Sequence, residues 1–133
     1  MLPPKHFRAR NRIAHARDYQ AVFAQRIAKS RGPLTVFLRP SDRPEHRLGL
    51  SIGRRVGNAV VRTRLKRQIR EAFRIDRTVY PFPTQSTTYD VVVSARAHKP
   101  LPHNDYRDHL RSAIEAAHRE HARRQNQTAR SES

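Results

Sequence analysis

Seven basic side chains on one predicted helix and the turn before it could contact a chain of phosphates. They are Arg54, Arg55, Arg62, Arg64, Lys66, Arg67 and Arg70. Arg62, Lys66 and Arg70 recur every four residues, so on a helix each stands about 6 Å further along the axis than the one before it. Like charges at this spacing destabilise an isolated helix. The row therefore predicts an anionic partner, and its rise is comparable to the phosphate spacing of an extended nucleic-acid strand.

The charge of this segment is almost entirely of one sign. Residues 54–77 contain nine Arg or Lys and two acidic residues, a net charge of +7, whereas a solvated helix face usually mixes both signs. Residues 1–53 carry +8 and residues 78–133 only +2, out of +17 for the chain of 133 residues. Of the 28 basic residues, 24 are Arg, whose guanidinium makes bidentate contacts with phosphate. The composition predicts a polyanion-binding surface within residues 1–77.

The helix that must carry these cations has a clear start and a clear inner face. Asn58 is a favourable N-cap, and Gly57 before it permits a backbone conformation or a close approach that a Cβ would hinder. An apolar stripe follows at spacings of four, four and three residues. Its members are Val61, Leu65, Ile69 and Ala72. This pattern predicts an amphipathic helix with its cations beside the buried stripe.

The other elements predict a small mixed domain. A helix is predicted over 14–25, strands over 34–39, 47–53 and 89–95, and a last helix from Asn104. The short link between the first two strands favours an antiparallel hairpin, and the apolar run YDVVVSA favours a strand covered on both faces. Pro81 and Pro83 argue against regular structure over 78–88. The order αββαβα predicts an α+β fold, a two-layer sandwich of a small sheet and helices.

The chain divides into one domain with two polar ends. We expect the domain over residues 13–124, a basic N-terminal arm over 1–12 and a disordered polar tail over 125–133. No apolar run approaches the roughly 18 residues that a membrane span needs, and the N-terminal residues do not resemble a signal peptide. A soluble intracellular protein without a membrane partner is expected.

A protein-borne hydrolytic site is not predicted. The chain has no Cys, and His118 and His121 form the only close His pair at helical spacing, which is too few ligands for a zinc site. The stretch from Gly53 to Gly57 lacks the spacing and the Lys-Ser/Thr end of a phosphate-binding loop. Three functions remain open from the residues alone: a ribosomal or other structural RNA-binding protein, a DNA-binding regulator, or a stand-alone nuclease, which the missing hydrolytic site disfavours.

The stretch RRVGNAVVRTRLKRQIREAF, from Arg54 to Phe73, resembles the signature of the bacterial ribonuclease P protein subunit. The resemblance extends over about residues 8–120, through DYQAVF, RLGLSI and YDVVVSAR. It implies a fold like ribosomal protein S5 domain 2, with a left-handed crossover from the second strand through the basic helix to the third. A right-handed crossover would be the general expectation.

The resemblance also implies roles for individual residues. Arg62 and Arg64 match the arginines of the family's Arg-Asn-Arg motif, which contacts the catalytic RNA, and Thr63 stands where Asn is common. The same RNA-binding surface then includes Arg54, Arg55, Asn58, Lys66, Arg67 and Arg70. Aromatic positions that line the cleft for the 5′ leader are matched by Tyr19, Phe23 and Phe37. From the residues alone, ordinary core packing is the favoured interpretation of these three rings, because aromatic stripes on helices usually face the core.

The enzyme implied by the resemblance is a ribonucleoprotein. Its partners are the ribonuclease P catalytic RNA, with one protein for each RNA, and precursor tRNA, whose 5′ leader is removed by metal-assisted hydrolysis. The RNA supplies the active site, so the protein alone is expected to be inactive. Mg²⁺ is expected to be bound mainly by the RNA, with no metal or other cofactor held by the protein. The expected location is the bacterial cytoplasm.

Overall fold

A computed structural model describes residues 9–132 of the chain. Within residues 9–132, three α-helices and four β-strands form the domain, together with two single turns of 3₁₀-helix. In chain order the elements are a 3₁₀ turn (Ala9–Asn11), α1 (Ala16–Ala24), β1 (Ala28–Arg31), β2 (Leu34–Ser41), β3 (Arg47–Ser51), a second 3₁₀ turn (Arg54–Val56), α2 (Ala59–Asp76), β4 (Thr88–Ala95) and α3 (His103–Glu132). The α+β class and the basic helix α2 are as predicted, and β1 is an additional strand.

The four strands form one sheet in the order β1-β2-β4-β3. β4 pairs antiparallel with β2 and parallel with β3, so the antiparallel hairpin predicted for the strands over 34–39 and 47–53, which are β2 and β3, is wrong. The link over 42–46 can span about 16 Å. Since β2 and β3 lie on either side of β4, they are only about 10 Å apart, so the link can cross the end of β4. The apolar strand β4 takes the place between them because only a central position buries both of its faces.

The two faces of the sheet are covered unequally. α2 and α3 pack on one face, where alternate residues of β2 and β4 enter the main core. They include Leu34, Val36, Leu38, Val91 and Val93. α1 packs on the opposite face with a smaller buried cluster of Ile13, Val22 and Val92. Much of that second face therefore remains open beside α1.

Strand β1 shows why a weak local pattern can still form a strand. Its sequence AKSR has no alternating apolar residues, yet it pairs antiparallel with β2 from Ala28, opposite Phe37, to Arg31, opposite Leu34. Gly32 turns the chain between them with a φ of 53°, a conformation that favours glycine. Pairing with β2 therefore stabilises β1 although its sequence has no apolar pattern.

The ends of the described chain differ from the predicted arm and tail. α3 continues through residues 125–132, where disorder was expected, because the segment has no Pro or Gly to end the helix and several good helix formers. In the predicted arm, Asn11 is buried and Arg12 forms a bridge with Leu48 of β3. Residues 1–8 of the arm lie outside the described residues.

Candidate nucleic-acid interface

The start of α2 is fixed by the cap that the sequence predicts. The backbone N–H of Val61 donates to Oδ1 of Asn58 at 3.0 Å. Gly57 has a φ of 154°, and a Cβ on it would lie 2.8 Å from Cγ1 of Val61. This close approach sets the direction in which α2 leaves the turn that carries Arg54 and Arg55.

The inner face of α2 is the predicted apolar stripe. Leu65, Ile69 and Ala72 are buried in the main core, Val61 is half-buried at its edge, and Phe73 is buried beside them. The cations are consequently turned outward: Arg64 and Arg67 are exposed, and Arg62, Lys66 and Arg70 are half-buried. Thr63 is exposed among them. We call these five cations of α2, together with Arg54 and Arg55, the basic face.

None of the seven cations of the basic face forms an ion pair with any residue between 9 and 132. The carboxylates on α2 are engaged elsewhere, since Glu71 binds Arg74 and Asp76 binds Arg107 with an Nη2–Oδ1 distance of 2.8 Å. In the described chain, Nε of Arg62 is buried without a hydrogen-bond partner. A buried donor of this kind is costly unless an external group accepts from it.

A small cleft joins α1 to the basic face. Its volume is about 120 Å³. The lining residues come from the N-terminal segment, α1, β3 and α2: Arg12, Ile13, Tyr19, Leu48, Leu50, Lys66 and Arg70. The cleft therefore brings one predicted leader-binding ring, Tyr19, next to two cations of the basic face.

Tyr19 is held in the cleft by contacts with β3. The N–H of Leu50 donates to its hydroxyl at 3.1 Å. A Cβ on Gly49 would lie 2.8 Å from Cε1 and Cζ of Tyr19, so the ring occupies the space that a side chain would fill. The ring is half-buried, which leaves part of it available to a ligand.

Phe23 and Phe37 form a second aromatic group on the same face of the sheet. Their rings meet edge to face with centroids 4.9 Å apart. Phe37 packs with Tyr19 against the small cluster under α1, while Phe23 is 39% exposed. All three predicted rings therefore lie on the α1 face, outside the main core, but the Phe pair does not line the cleft with Lys66 and Arg70.

Strand register places polar groups on the α1 face that the sequence analysis missed. Ser30, Thr35, Ser94 and Ser51 are register partners across all four strands and form one row of hydroxyls. Two rows away, Asp90 accepts from Arg47 Nε at 2.9 Å and from Arg39 Nη2 at 2.7 Å. No local pattern reveals either group, because the partners are brought together only by the order β1-β2-β4-β3.

The buried ion cluster is structural. Burial raises the pKa of Asp90, but the hydrogen bonds from Arg47 and Arg39 outweigh it and lower the pKa below its ordinary value. Asp18 of α1 lies 3.8 Å from both guanidinium groups and ties the helix to the sheet. These arginines are neutralised within the protein, unlike those of the basic face.

The histidine pair of α3 is also structural. His118 Nδ1 lies 2.7 Å from the hydroxyl of Tyr89, and His121 packs edge-on against the same ring. Burial lowers the pKa of both groups. Between residues 9 and 132, no group of three or more His, Asp or Glu side chains is arranged to hold a metal ion. Over the same span, no helix is long and apolar enough to cross a membrane.

Comparison with known proteins identifies relatives for most of the chain. The family model described as ribonuclease P matches residues 7–118. The ribonuclease P protein component of Syntrophobacter fumaroxidans is 39% identical over 90 residues, which is 68% of this chain and 72% of the relative. That of Streptococcus mutans is 37% identical over 59 residues, 44% of this chain and 50% of the relative.

Solved structures show the same fold. The RNase P protein of Thermotoga maritima matches with a TM-score of 0.64 and 27% identity, covering 77% of this chain and 94% of that one. The RNase P protein of Staphylococcus aureus matches with a TM-score of 0.64 and 26% identity, covering 89% of this chain and 94% of that one. Sequence and fold therefore point to the same family, and against the ribosomal alternative.

Proposed function

This chain belongs to the ribonuclease P protein family, and we propose that it serves that ribonucleoprotein enzyme by binding RNA while the RNA subunit performs the cleavage. The protein is a subunit of ribonuclease P, and its partner is the ribonuclease P RNA. The proposal assigns the basic face to that catalytic RNA. The α1 face of the sheet is assigned to the 5′ leader of precursor tRNA.

The observation that carries the proposal is the unpaired charge of the basic face. Seven cations lie on or beside one helix, and no described carboxylate pairs with them. Unpaired Arg and Lys side chains release counterions when they meet phosphates, which supplies affinity for a polynucleotide. Thr63 lies among them and can offer its hydroxyl to a phosphate or ribose oxygen.

The leader assignment follows from the residues that surround Tyr19. Single-stranded RNA is held by a basic groove with aromatic platforms, and each stacked base contributes about 1–3 kcal/mol. The cleft combines the ring of Tyr19 with Lys66 and Arg70, and the Phe23–Phe37 pair continues the aromatic surface on the same face of the sheet. A strand leaving the basic face through the cleft would reach those rings next.

The chemical step is assigned to the RNA by the family resemblance. We propose removal of the leader from precursor tRNA by hydrolysis, with Mg²⁺ held mainly by the RNA and one protein for each RNA. The protein's own contribution is electrostatic and positional, because bound cations screen the repulsion between two RNA strands. The bacterial cytoplasm is the proposed location.

Arg62→Ala and Arg64→Ala test the assignment of the basic face. Each variant should weaken binding to the ribonuclease P RNA and flatten its salt dependence by about 0.7–0.9 units of slope for each lost phosphate contact. Arg119→Ala is a matched control, since Arg119 is an exposed arginine on α3 away from the basic face. A salt series of filter-binding isotherms measures the slopes. Slopes equal to wild type in both α2 variants would contradict the assignment.

Phe37→Ala tests the leader assignment separately. The holoenzyme with this variant should bind leader-bearing precursor tRNA less tightly and mature tRNA with unchanged affinity. Equal losses for both RNAs would instead indicate a folding defect, which urea unfolding of the free protein would reveal. Unchanged affinity for the precursor would remove Phe37 from the leader site.

A further inference from the structure

A pocket on the flank of α2 opposite the Tyr19 cleft has no role in the proposed function so far. It lies between α2, the segment 98–101 and the start of α3, and its volume is about 290 Å³. Val61 and Leu65 form the helix side, and Pro100, Leu101 and the ring of Tyr106 form the other. Its size is near the lower limit of small-ligand pockets, which suits one flat aromatic group.

The outer wall of the pocket is held open by hydrogen bonds. The carbonyl oxygen of Arg96 can only accept, so Nδ1 of His98 donates to it at 2.8 Å. Nε2 of the same ring lies 2.8 Å from the hydroxyl of Tyr106, and that hydroxyl accepts from the N–H of Leu101 at 3.2 Å. These hydrogen bonds tie the segment to the start of α3, where it forms one wall of the pocket.

One polar group on the pocket lining can still donate a hydrogen bond. Oε1 of Gln68 accepts from Nδ1 of His103 at 2.5 Å. Gln68 lines the pocket, and no residue of the described chain accepts a hydrogen bond from its amide nitrogen. An amide N–H₂ beside an apolar slot suits the ring nitrogens and carbonyl oxygens on the edge of a nucleobase.

The rim of the pocket is cationic. Arg64 and Arg67 line its mouth, both are exposed, and neither forms an ion pair with a described residue. The apolar interior excludes a phosphate, whereas the two guanidinium groups attract one. A ligand that satisfies both parts has an uncharged aromatic portion with anionic groups on either side of it, which is the constitution of a nucleotide within a chain.

We propose that this pocket holds one unstacked base of the ribonuclease P RNA, while Arg64 and Arg67 contact the phosphates that flank it. The inference rests on the proposed function, since it requires the basic face to meet that RNA. It adds recognition of an extruded base to what would otherwise be contact with phosphates alone. Proteins commonly recognise structured RNA through such unstacked bases.

Pro100→Trp is designed to fill the pocket. Pro100 is exposed and lines the slot, so the added indole can occupy it without entering the core. Pro102→Trp is the matched control, because Pro102 is exposed in the same segment and does not line the pocket. Gln68→Met is a second variant of nearly the same volume that removes only the amide donor. Urea unfolding of each variant verifies that it folds.

The measurement is chemical footprinting of the ribonuclease P RNA with and without protein. Hydroxyl radicals report the sugar–phosphate backbone, and dimethyl sulfate with a carbodiimide reports the Watson–Crick edges of all four bases. Wild type and Pro102→Trp should both protect the backbone and at least one unpaired base. With Pro100→Trp that base should react as in free RNA, the backbone protection should persist, and the affinity should fall about 10-fold, as expected for one lost base contact.

The outcomes separate this inference from the proposed function. Absence of any backbone protection by the wild-type protein would overturn the proposed function itself. Backbone protection with identical base reactivity in both Trp variants would overturn the pocket assignment alone. If Pro100→Trp does not fold, Gln68→Met decides, because base protection as strong as that of wild type would contradict recognition by its amide.

Discussion

Replacing Gly49 with Ala tests whether the Tyr19 cleft is built by close packing. A Cβ at this position would lie 2.8 Å from Cε1 and Cζ of Tyr19 and 2.9 Å from its hydroxyl oxygen. Ordinary contacts begin near 3.4 Å, so the ring must move by about 0.6 Å or more. The φ of Gly49 does not lie in the region that favours glycine, so the effect of the substitution is steric.

The expected loss of stability follows from this overlap. Overpacking of a well-packed site costs about 1–3 kcal/mol. Moving the ring also strains the 3.1 Å bond between the Leu50 N–H and the Tyr19 hydroxyl, which is worth about 1 kcal/mol. We expect Gly49→Ala to lower the free energy of unfolding by about 2 kcal/mol. The displaced ring should also reduce holoenzyme affinity for leader-bearing precursor tRNA by about 5-fold or more, the lower end expected for loss of one stacked base.

A double-mutant cycle with Tyr19→Ala isolates the cause. Removing the ring removes the overlap, so Gly49→Ala should cost much less in the Tyr19→Ala background, with a coupling energy of about 1 kcal/mol or more. Urea unfolding gives the stabilities, and binding of precursor and mature tRNA to the holoenzyme gives the affinities. Additive losses in the two single variants would refute the packing argument, as would a Gly49→Ala protein with wild-type stability.

Three further predictions concern stability and use urea unfolding at pH 7.5 unless stated. Asp90→Asn should lower the free energy of unfolding by about 3–5 kcal/mol, because it leaves the buried Arg47 without its carboxylate; a loss below 1 kcal/mol would show that the cluster is not a structural support. Burial lowers the pKa of His46 below its ordinary value of 6.5, so the unfolded chain binds the proton more readily. Stability from this group, as from His118 and His121, whose pKa values burial also lowers, is complete above pH 6.5 and should be lost as the pH falls below it, by up to about 1.4 kcal/mol per pH unit for each histidine; a flat profile between pH 7.5 and 5.5 would contradict this. Asn58→Ala should cost about 1 kcal/mol through loss of the α2 cap, while Asn58→Ser, which keeps a side-chain oxygen acceptor, should cost little, and equal losses would argue against the side-chain bond to Val61.

Local periodicity was sufficient to predict α2 and its orientation. The spacing of Leu65, Ile69 and Ala72 depends only on helix geometry, and so does the outward position of the cations. The cap at Asn58 is likewise a local bond to a residue three positions away. The double burial of β4 could be predicted because the run YDVVVSA is nearly continuously apolar, and its one charged residue, Asp90, is paired inside.

Features that depend on strand order could not be predicted. The sequence shows a short link between β2 and β3 but does not show that β4 lies between them. The hydroxyl row and the ion cluster depend on that order, and the row also needs β1, whose sequence has no strand pattern. The contact of Tyr19 with Gly49 joins elements 30 residues apart, and nothing in either segment alone indicates it.

The most direct test of the division of labour between protein and RNA is reconstitution of cleavage. Precursor tRNA is incubated at low Mg²⁺ with the organism's ribonuclease P RNA, with the protein, or with both, and release of the 5′ leader is measured. We expect rapid release only with both components and none with protein that has been treated with ribonuclease and repurified. Magnesium-dependent release of the leader by that RNA-free protein would contradict the claim that the protein binds RNA and leaves the cleavage to its partner.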